Sequence, residues 1–226
     1  MKITYLGQAG LLFETESMKI IIDPYLSNSV QNLDENKYRR QPINEQFLQI
    51  KPDILLFTHN HLDHFDKDTV ASYLNKDSHV LVLSPSSVWA EVRKFGGAKN
   101  NYVLFNNGTT WTEKEVVFHA VKAEHSDEYA IGIIITAEGK NYYITGDTLY
   151  NERVFASLPD EEIELLFLPV NGEGNNMNFV DGARFAKRVN AKKVVPIHLG
   201  LLDDKNAEDW EMENKILPTI YKEIAY

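Results

Sequence analysis

Three histidines and one aspartate lie between His59 and His64, in the run Thr58-His59-Asn60-His61-Leu62-Asp63-His64. Imidazole nitrogen and carboxylate oxygen are the ligands that zinc, manganese and iron accept. The run follows directly on Asp53 to Thr58, an apolar segment that reads as a buried strand. At the tip of such a strand the chain leaves the sheet, so close-spaced side chains can converge on one point. Burying that many polar groups without a cation would leave several of them unpaired. The spacing predicts a metal site.

There is no cysteine, which excludes disulfides, thiolate nucleophiles and sulfur-ligated zinc or iron–sulfur centres. Any metal must therefore be held by nitrogen and oxygen. His125 stands just beyond the strand-like run Val116 to Ala123, and His198 closes the run Lys193 to Ile197. His119 lies within an alternating strand and competes with His125 for a place at the site; His125 is preferred because the strand ends there. His79 reads as a surface residue before a strand.

The elements that must position these groups alternate between short strands and helices almost from end to end. Strands are expected over Lys2 to Leu6, Leu11 to Glu14, Lys19 to Ile22 and Asp53 to Thr58, with a polar loop from Tyr25 to about Asn44. Further strands are expected over Val80 to Leu83, Tyr102 to Phe105, Val116 to Ala123, Ala130 to Thr136, Tyr142 to Thr145, Glu164 to Val170 and Lys193 to Ile197. Helices are expected over Glu45 to Ile50, from an Asp66 N-cap to near Asn75, and over Ser86 to Phe95, Glu152 to Leu158 and Phe179 to Val189. A closing helix from Trp210 to Ile224, interrupted at Pro218, completes the pattern. No repeat or low-complexity linker divides residues 1–226, so one mixed α/β layered domain is expected.

The net charge of −10 disfavours long nucleic acid, whose binding relies on clustered Lys and Arg. One modest basic cluster, Lys37-Tyr38-Arg39-Arg40, could hold an anionic group of a small substrate. The longest apolar runs are far too short to cross a bilayer, and the opening residues alternate like a strand rather than forming a signal peptide. The expectation is a cytoplasmic protein with a small-molecule substrate and no membrane partner.

The pattern His-x-His-x-Asp-His, followed in order by His125, Asp147 and His198, resembles that of the metallo-β-lactamase superfamily. The resemblance implies a four-layer αββα sandwich of two mixed sheets flanked by helices. It also implies two divalent cations: His59, His61 and His125 at one, Asp63, His64 and His198 at the other, with Asp147 between them. A carboxylate suits that bridging place because it can give one oxygen to each cation. Asp23 matches an early aspartate of the superfamily and is read either as orienting a ligand histidine through its ring N–H or as a turn residue before Pro24.

More narrowly, the chain resembles the L-ascorbate-6-phosphate lactonase-like group. The carrying residues are Ile3 to Gly10, Ile22-Asp23-Pro24-Tyr25-Leu26, Gly146-Asp147-Thr148 and Pro169-Val170-Asn171-Gly172-Glu173-Gly174-Asn175-Asn176-Met177-Asn178. That resemblance implies hydrolysis of a small polar lactone or ester, phosphorylated or not, by a metal-bound hydroxide. Asp63 and Asp147 are the expected catalytic carboxylates. Asn171, Asn175, Asn176, Tyr25, Arg39 and Arg40 are the expected substrate contacts. Manganese follows from the narrow resemblance and zinc from the broad one; iron also suits the donors. The alternatives are a phosphodiesterase acting on a small or cyclic diester, and a non-catalytic metal-binding module. Oxygen-reducing di-iron relatives typically carry a glutamate where this chain has His61, which disfavours that chemistry.

Overall fold

A computed structural model describes all residues, 1–226. Strands β1 (Lys2–Gly7), β2 (Gly10–Glu14), β3 (Lys19–Ile22), β4 (Ile54–Leu56), β5 (Leu81–Ser84) and β6 (Asn101–Leu104) lie in a first sheet. Strands β7 (Thr110–Glu113), β8 (Val116–Lys122), β9 (Ile131–Ala137), β10 (Lys140–Ile144), β11 (Leu165–Pro169) and β12 (Lys193–Ile197) form a second. A short β13 (Lys222–Glu223) returns to the first sheet, whose order is β13-β1-β2-β3-β4-β5-β6; the second runs β12-β11-β10-β9-β8-β7. Both sheets are mixed, with β3 to β6 mutually parallel in one and β10 to β12 in the other.

Two-residue alternation explains the layering. In β4, Ile54 and Leu56 point into the core between the sheets, whereas Leu55 points outward beneath helix α1 (Lys67–Tyr73) and helix α2 (Ser86–Val92). In β9, Ile131, Ile133 and Ile135 face the first sheet, while Ile134 faces the layer of α3 (Glu152–Phe155) and α4 (Phe179–Val189). Strands buried on both faces need a continuous apolar run, which is what the isoleucines of β9 supply. The result is the expected α/β arrangement of two sheets with flanking helices.

The hairpin turn between β9 and β10 has Glu138 and Gly139 both at positive φ, 53° and 72°, as a tight two-residue connection requires. Asn178 caps α4 by accepting from the Asp181 N–H at 2.9 Å, worth about 1 kcal/mol. Asp66 caps α1 as expected from its sequence, accepting from the Thr69 N–H.

Two expected helices are absent. Glu45 to Ile50 contains only a single 3₁₀ turn at Phe47–Gln49. Pro52 disfavours helical backbone at Lys51, and the Phe47 ring stacks on Tyr221 at 5.3 Å instead of continuing a helical face. The segment Trp210 to Ile224 is extended rather than helical. Ile216 N–H donates to Val194 O at 2.7 Å, and β13 pairs antiparallel with β1, Thr4 opposite Glu223. Ile216, Ile220 and Ile224 all pack on the inter-sheet core. Their spacing of four satisfies a helix and a strand equally, and Pro218, lacking an N–H, decides against the helix. β7 is a strand that residue types did not announce, because Thr110 and Thr112 alternate with only partly buried Trp111 and Glu113. No helix is long and apolar enough to cross a membrane.

The parallel strands bring the chemical residues to one rim. The carboxyl ends of β3 and β4 deliver Asp23 and Thr58, and those of β10, β11 and β12 deliver Asp147, Asn171 and His198. β8 runs antiparallel to β9, and β9 to β10, so β8 also ends there and releases His125. Across the rim the two sheets are joined by Ile131 N–H to Thr58 O at 3.0 Å and His198 N–H to Gln8 O at 2.7 Å.

Candidate metal centre

The expected ligands assemble into two adjoining groups, His59/His61/His125/Asp147 and Asp63/His64/His198. His125 Nε2 is 3.1 Å from His61 Nδ1. His198 Nε2 lies 3.2 Å from His64 Nε2 and 3.0 Å from Asp63 Oδ2. Asp147 spans the groups: Oδ1 is 3.3 Å from His64 Nε2, and Oδ2 is 3.2 Å from His198 Nε2 and 3.9 Å from His125 Nε2. His119 is elsewhere, its Nδ1 bonded to Thr110 Oγ1 on the neighbouring strand.

Each of these five rings has one nitrogen engaged by the protein. Asp23 sits at φ 42°, a left-handed conformation that aspartate tolerates better than most residues. Its carboxylate accepts from the Thr58 N–H at 2.8 Å, from the Thr58 hydroxyl, and from His64 Nδ1 at 2.8 Å. With its proton committed to Asp23, the Thr58 hydroxyl can only accept from His59 Nδ1, 3.0 Å away. His125 Nδ1 faces Asn175 O at 3.4 Å, His61 Nε2 faces Ser126 Oγ at 3.2 Å, and His198 Nδ1 faces the Asn171 amide at 3.1 Å. In that contact the Asn171 Nδ2 faces His198 Nδ1, and turning the amide end for end would give its oxygen, which has no partner, to the ring N–H instead. With a cation bound, the opposite nitrogens of the five rings would present lone pairs to it.

That donor set fits a cation. His59 is fully buried, yet its Nε2 has no hydrogen-bond partner. A buried, unpaired acceptor costs stability unless something electropositive meets it.

The metal-free site is electrostatically uneven. Burial, then His64 nearby, holds the His59 pKa well below the imidazole range, and burial likewise lowers His125. Burial would also lower His64, but Asp147, Asp63 and Asp23 outweigh it and hold that ring well above the usual range. His198, against the same burial penalty, is raised to about 10 by Asp147 and Asp63. Burial opposes ionisation of Asp147 and Asp63, yet the neighbouring His64 and His198 keep both carboxyls well below their ordinary values. Burial thus disfavours protonation of His59 and His125, whereas the neighbouring carboxylates favour it at His64 and His198.

A cleft of about 310 Å³ opens onto the site, lined on one side by His61, Asp63, Asp147 and His198 and on the other by Lys37, Asn171, Glu173 and Asn176. Asn176 Nδ2 donates to Asp147 Oδ2 at 2.9 Å. Asn175 meets the site through its backbone carbonyl, while its side chain is exposed. Of the expected substrate contacts, Tyr25, Arg39 and Arg40 do not line this cleft. Arg39 donates to Tyr25 O and to the Tyr221 hydroxyl at 2.7 and 2.8 Å and lies over the Tyr25 ring, which is fully buried. Arg40 is paired with Asp204 at 2.6 Å. Both arginines tie the 25–44 loop to the body of the protein; of the basic cluster, Lys37 alone reaches the cleft.

Residue types had not singled out Thr58, Gln8 or Asp127. Thr58 was visible only as the last residue of a strand. Asp127, itself buried, accepts from the Asn60 N–H and the Ser87 hydroxyl and so braces the loop carrying His59 and His61.

A family model described as beta-lactamase superfamily domain matches residues 2–198. A UPF0173 metal-dependent hydrolase of Geobacillus sp. (strain WCH70) is 30% identical over 217 residues, covering 88% of this chain and 85% of the relative. Among solved structures, an isothiocyanate hydrolase from Delia radicum gut bacteria aligns with a TM-score of 0.78 at 17% identity, over 100% of this chain and 99% of that one. The metallo-beta-lactamase fold protein YhfI from Bacillus subtilis aligns with a TM-score of 0.74 at 16% identity, over the same shares. At these identities the two structures speak for the fold.

Proposed function

The chain belongs to the metallo-β-lactamase superfamily and its UPF0173 family of metal-dependent hydrolases, and on that premise we propose that it hydrolyses a small polar ester or lactone. The observation that carries this reading is the convergence of five tethered imidazoles on two carboxylates, with the buried His59 Nε2 lacking any partner in the protein.

His59, His61 and His125 would hold one divalent cation and Asp63, His64 and His198 another, with Asp147 shared. When bound, the cations polarise the attacked carbonyl and make water nucleophilic near neutral pH. The protein's own groups do the rest. Asp23, Thr58, Asn171, Asn175 and Ser126 fix the ring orientations. Asn176 holds one oxygen of Asp147 and so sets the direction of the other. Asp63 stands at the cleft wall, where its carboxylate can receive a proton from the attacking water. Lys37, paired with Glu173 at 3.1 Å on the same cleft, offers the one ammonium group that could turn to an acidic substituent of the substrate. A cleft of about 310 Å³ admits a small molecule, at the low end of ligand sites.

The test is a panel of γ-lactones, carboxylic esters and bis(p-nitrophenyl) phosphate, offered to protein reconstituted separately with zinc, manganese and iron. Turnover of a lactone or ester that is lost on chelation is expected. Cleavage of the phosphodiester alone would overturn the ester and lactone reading in favour of phosphodiesterase activity.

A further inference from the structure

Gln8 stands at the tip of the β1–β2 hairpin, far in sequence from every group in the centre, and is only 3% exposed. Its side-chain Nε2 donates to Asp63 Oδ2 at 2.8 Å and lies 3.2 Å from both ring nitrogens of His198. Its carbonyl accepts from the His198 N–H at 2.7 Å and from the Tyr5 hydroxyl at 2.9 Å. Gln8 and His198 both adopt positive φ, 54° and 67°. Two neighbouring non-glycine residues in that sparsely populated region persist only where the surroundings over-determine them. Here the Tyr5 and His198 bonds do so.

The carboxamide is chemically apt. Asp63 belongs to the cleft wall, and unlike the fully buried His64 it is partly accessible, so its side chain has room to turn away. Asp63 Oδ2 is also the atom that approaches His198 Nε2 at 3.0 Å. One N–H from Gln8 holds that oxygen in place. A carboxamide adds no charge, so it restrains the carboxylate without competing electrostatically with a cation. Asn176 does the same for Asp147 on the other side of the centre. Gln8 makes no hydrogen bond to His59, His61 or His125.

We propose that Gln8 is a positioning residue for the Asp63/His64/His198 half of the centre, and that it governs cation affinity there and not in the His59/His61/His125 half. This rests on the two-cation reading above.

The variant Gln8→Met keeps the length and volume of the side chain and removes the N–H; Gln8→Ala removes the side chain altogether. Metal-free wild type and both variants are titrated with zinc against a chromophoric chelator, and the metal-free proteins are compared by thermal melting. Loss of an outer-shell partner typically weakens metal binding about 10–100-fold. The expected result is that loss in one of the two binding steps, with the other step unchanged and the metal-free melting temperature of Gln8→Met preserved. Two unchanged steps, or two steps weakened equally with a lowered melting temperature, would overturn the assignment. If wild type takes up a single cation, the two-cation reading itself fails, an outcome separate from either of those.

Discussion

Replacing Asp147 by Asn is expected to lower kcat/KM by about 1,000-fold or more, equivalent to several kcal/mol of transition-state stabilisation. The carboxylate oxygens reach three imidazole nitrogens at 3.2 to 3.9 Å, drawn from both ligand groups. An amide of the same shape cannot substitute. Asn176 Nδ2 already donates to one oxygen of Asp147, so the new amide must turn its own oxygen there to avoid opposing donors. Its NH₂ group would then take the place of Oδ1, 3.3 Å from His64 Nε2, where a donor cannot replace an anion. Because the side-chain volume is unchanged, the far-UV circular dichroism should match wild type. Bound metal should fall alongside activity, read by elemental analysis. Unchanged turnover with metal retained would contradict the shared role of Asp147.

Gly146→Ala is expected to destabilise the metal-free protein by about 2–4 kcal/mol, through left-handed strain and overpacking together. Gly146 has φ 60°, and a Cβ there would come within 2.7 Å of Ile131 O and 3.0 Å of Thr58 Cβ. Those neighbours belong to the two sheets where Ile131 N–H bonds Thr58 O at 3.0 Å, so relief of the clash would pull at the joint that seats His59. Gly174→Ala is the matched control. Its φ is 62°, but nothing lies within 4 Å of the added Cβ, so only the conformational cost of about 1 kcal/mol remains. Urea denaturation of the three proteins separates the effects. Equal midpoints for the two variants would show that the close approach at Gly146 carries no weight.

How far the sequence already contained this molecule depends on whether a signal is local. His59, His61, Asp63 and His64 were readable because they crowd one strand tip, and His125, Asp147 and His198 because each follows a strand-like run. The sheets were readable where alternation or continuous burial was strong, as in Ile20 to Ile22 and Ile131 to Ile135. The extended course of residues 210–224 was not, because apolar residues four apart fit both periodicities. Arg39 and Arg40 showed that charge type alone does not give direction: both side chains turn to partners within the protein. Gln8 and Thr58 act through contacts with residues brought near by the fold or with the adjacent histidine ring, and neither residue type is chemically conspicuous. Their importance becomes visible once the tips of β1, β4 and β12 meet.

The central claim is a centre for two cations held between five imidazoles and two carboxylates. Titration calorimetry of the metal-free protein with zinc near neutral pH, repeated in buffers of different ionisation enthalpy, tests it directly. The neighbouring carboxylates favour protonation of His64 and His198 in the absence of a cation, so binding should release protons and affinity should rise with pH. The predicted result is two cations per chain with net release of protons on binding. A single cation per chain, or uptake with no dependence on the buffer, would contradict it.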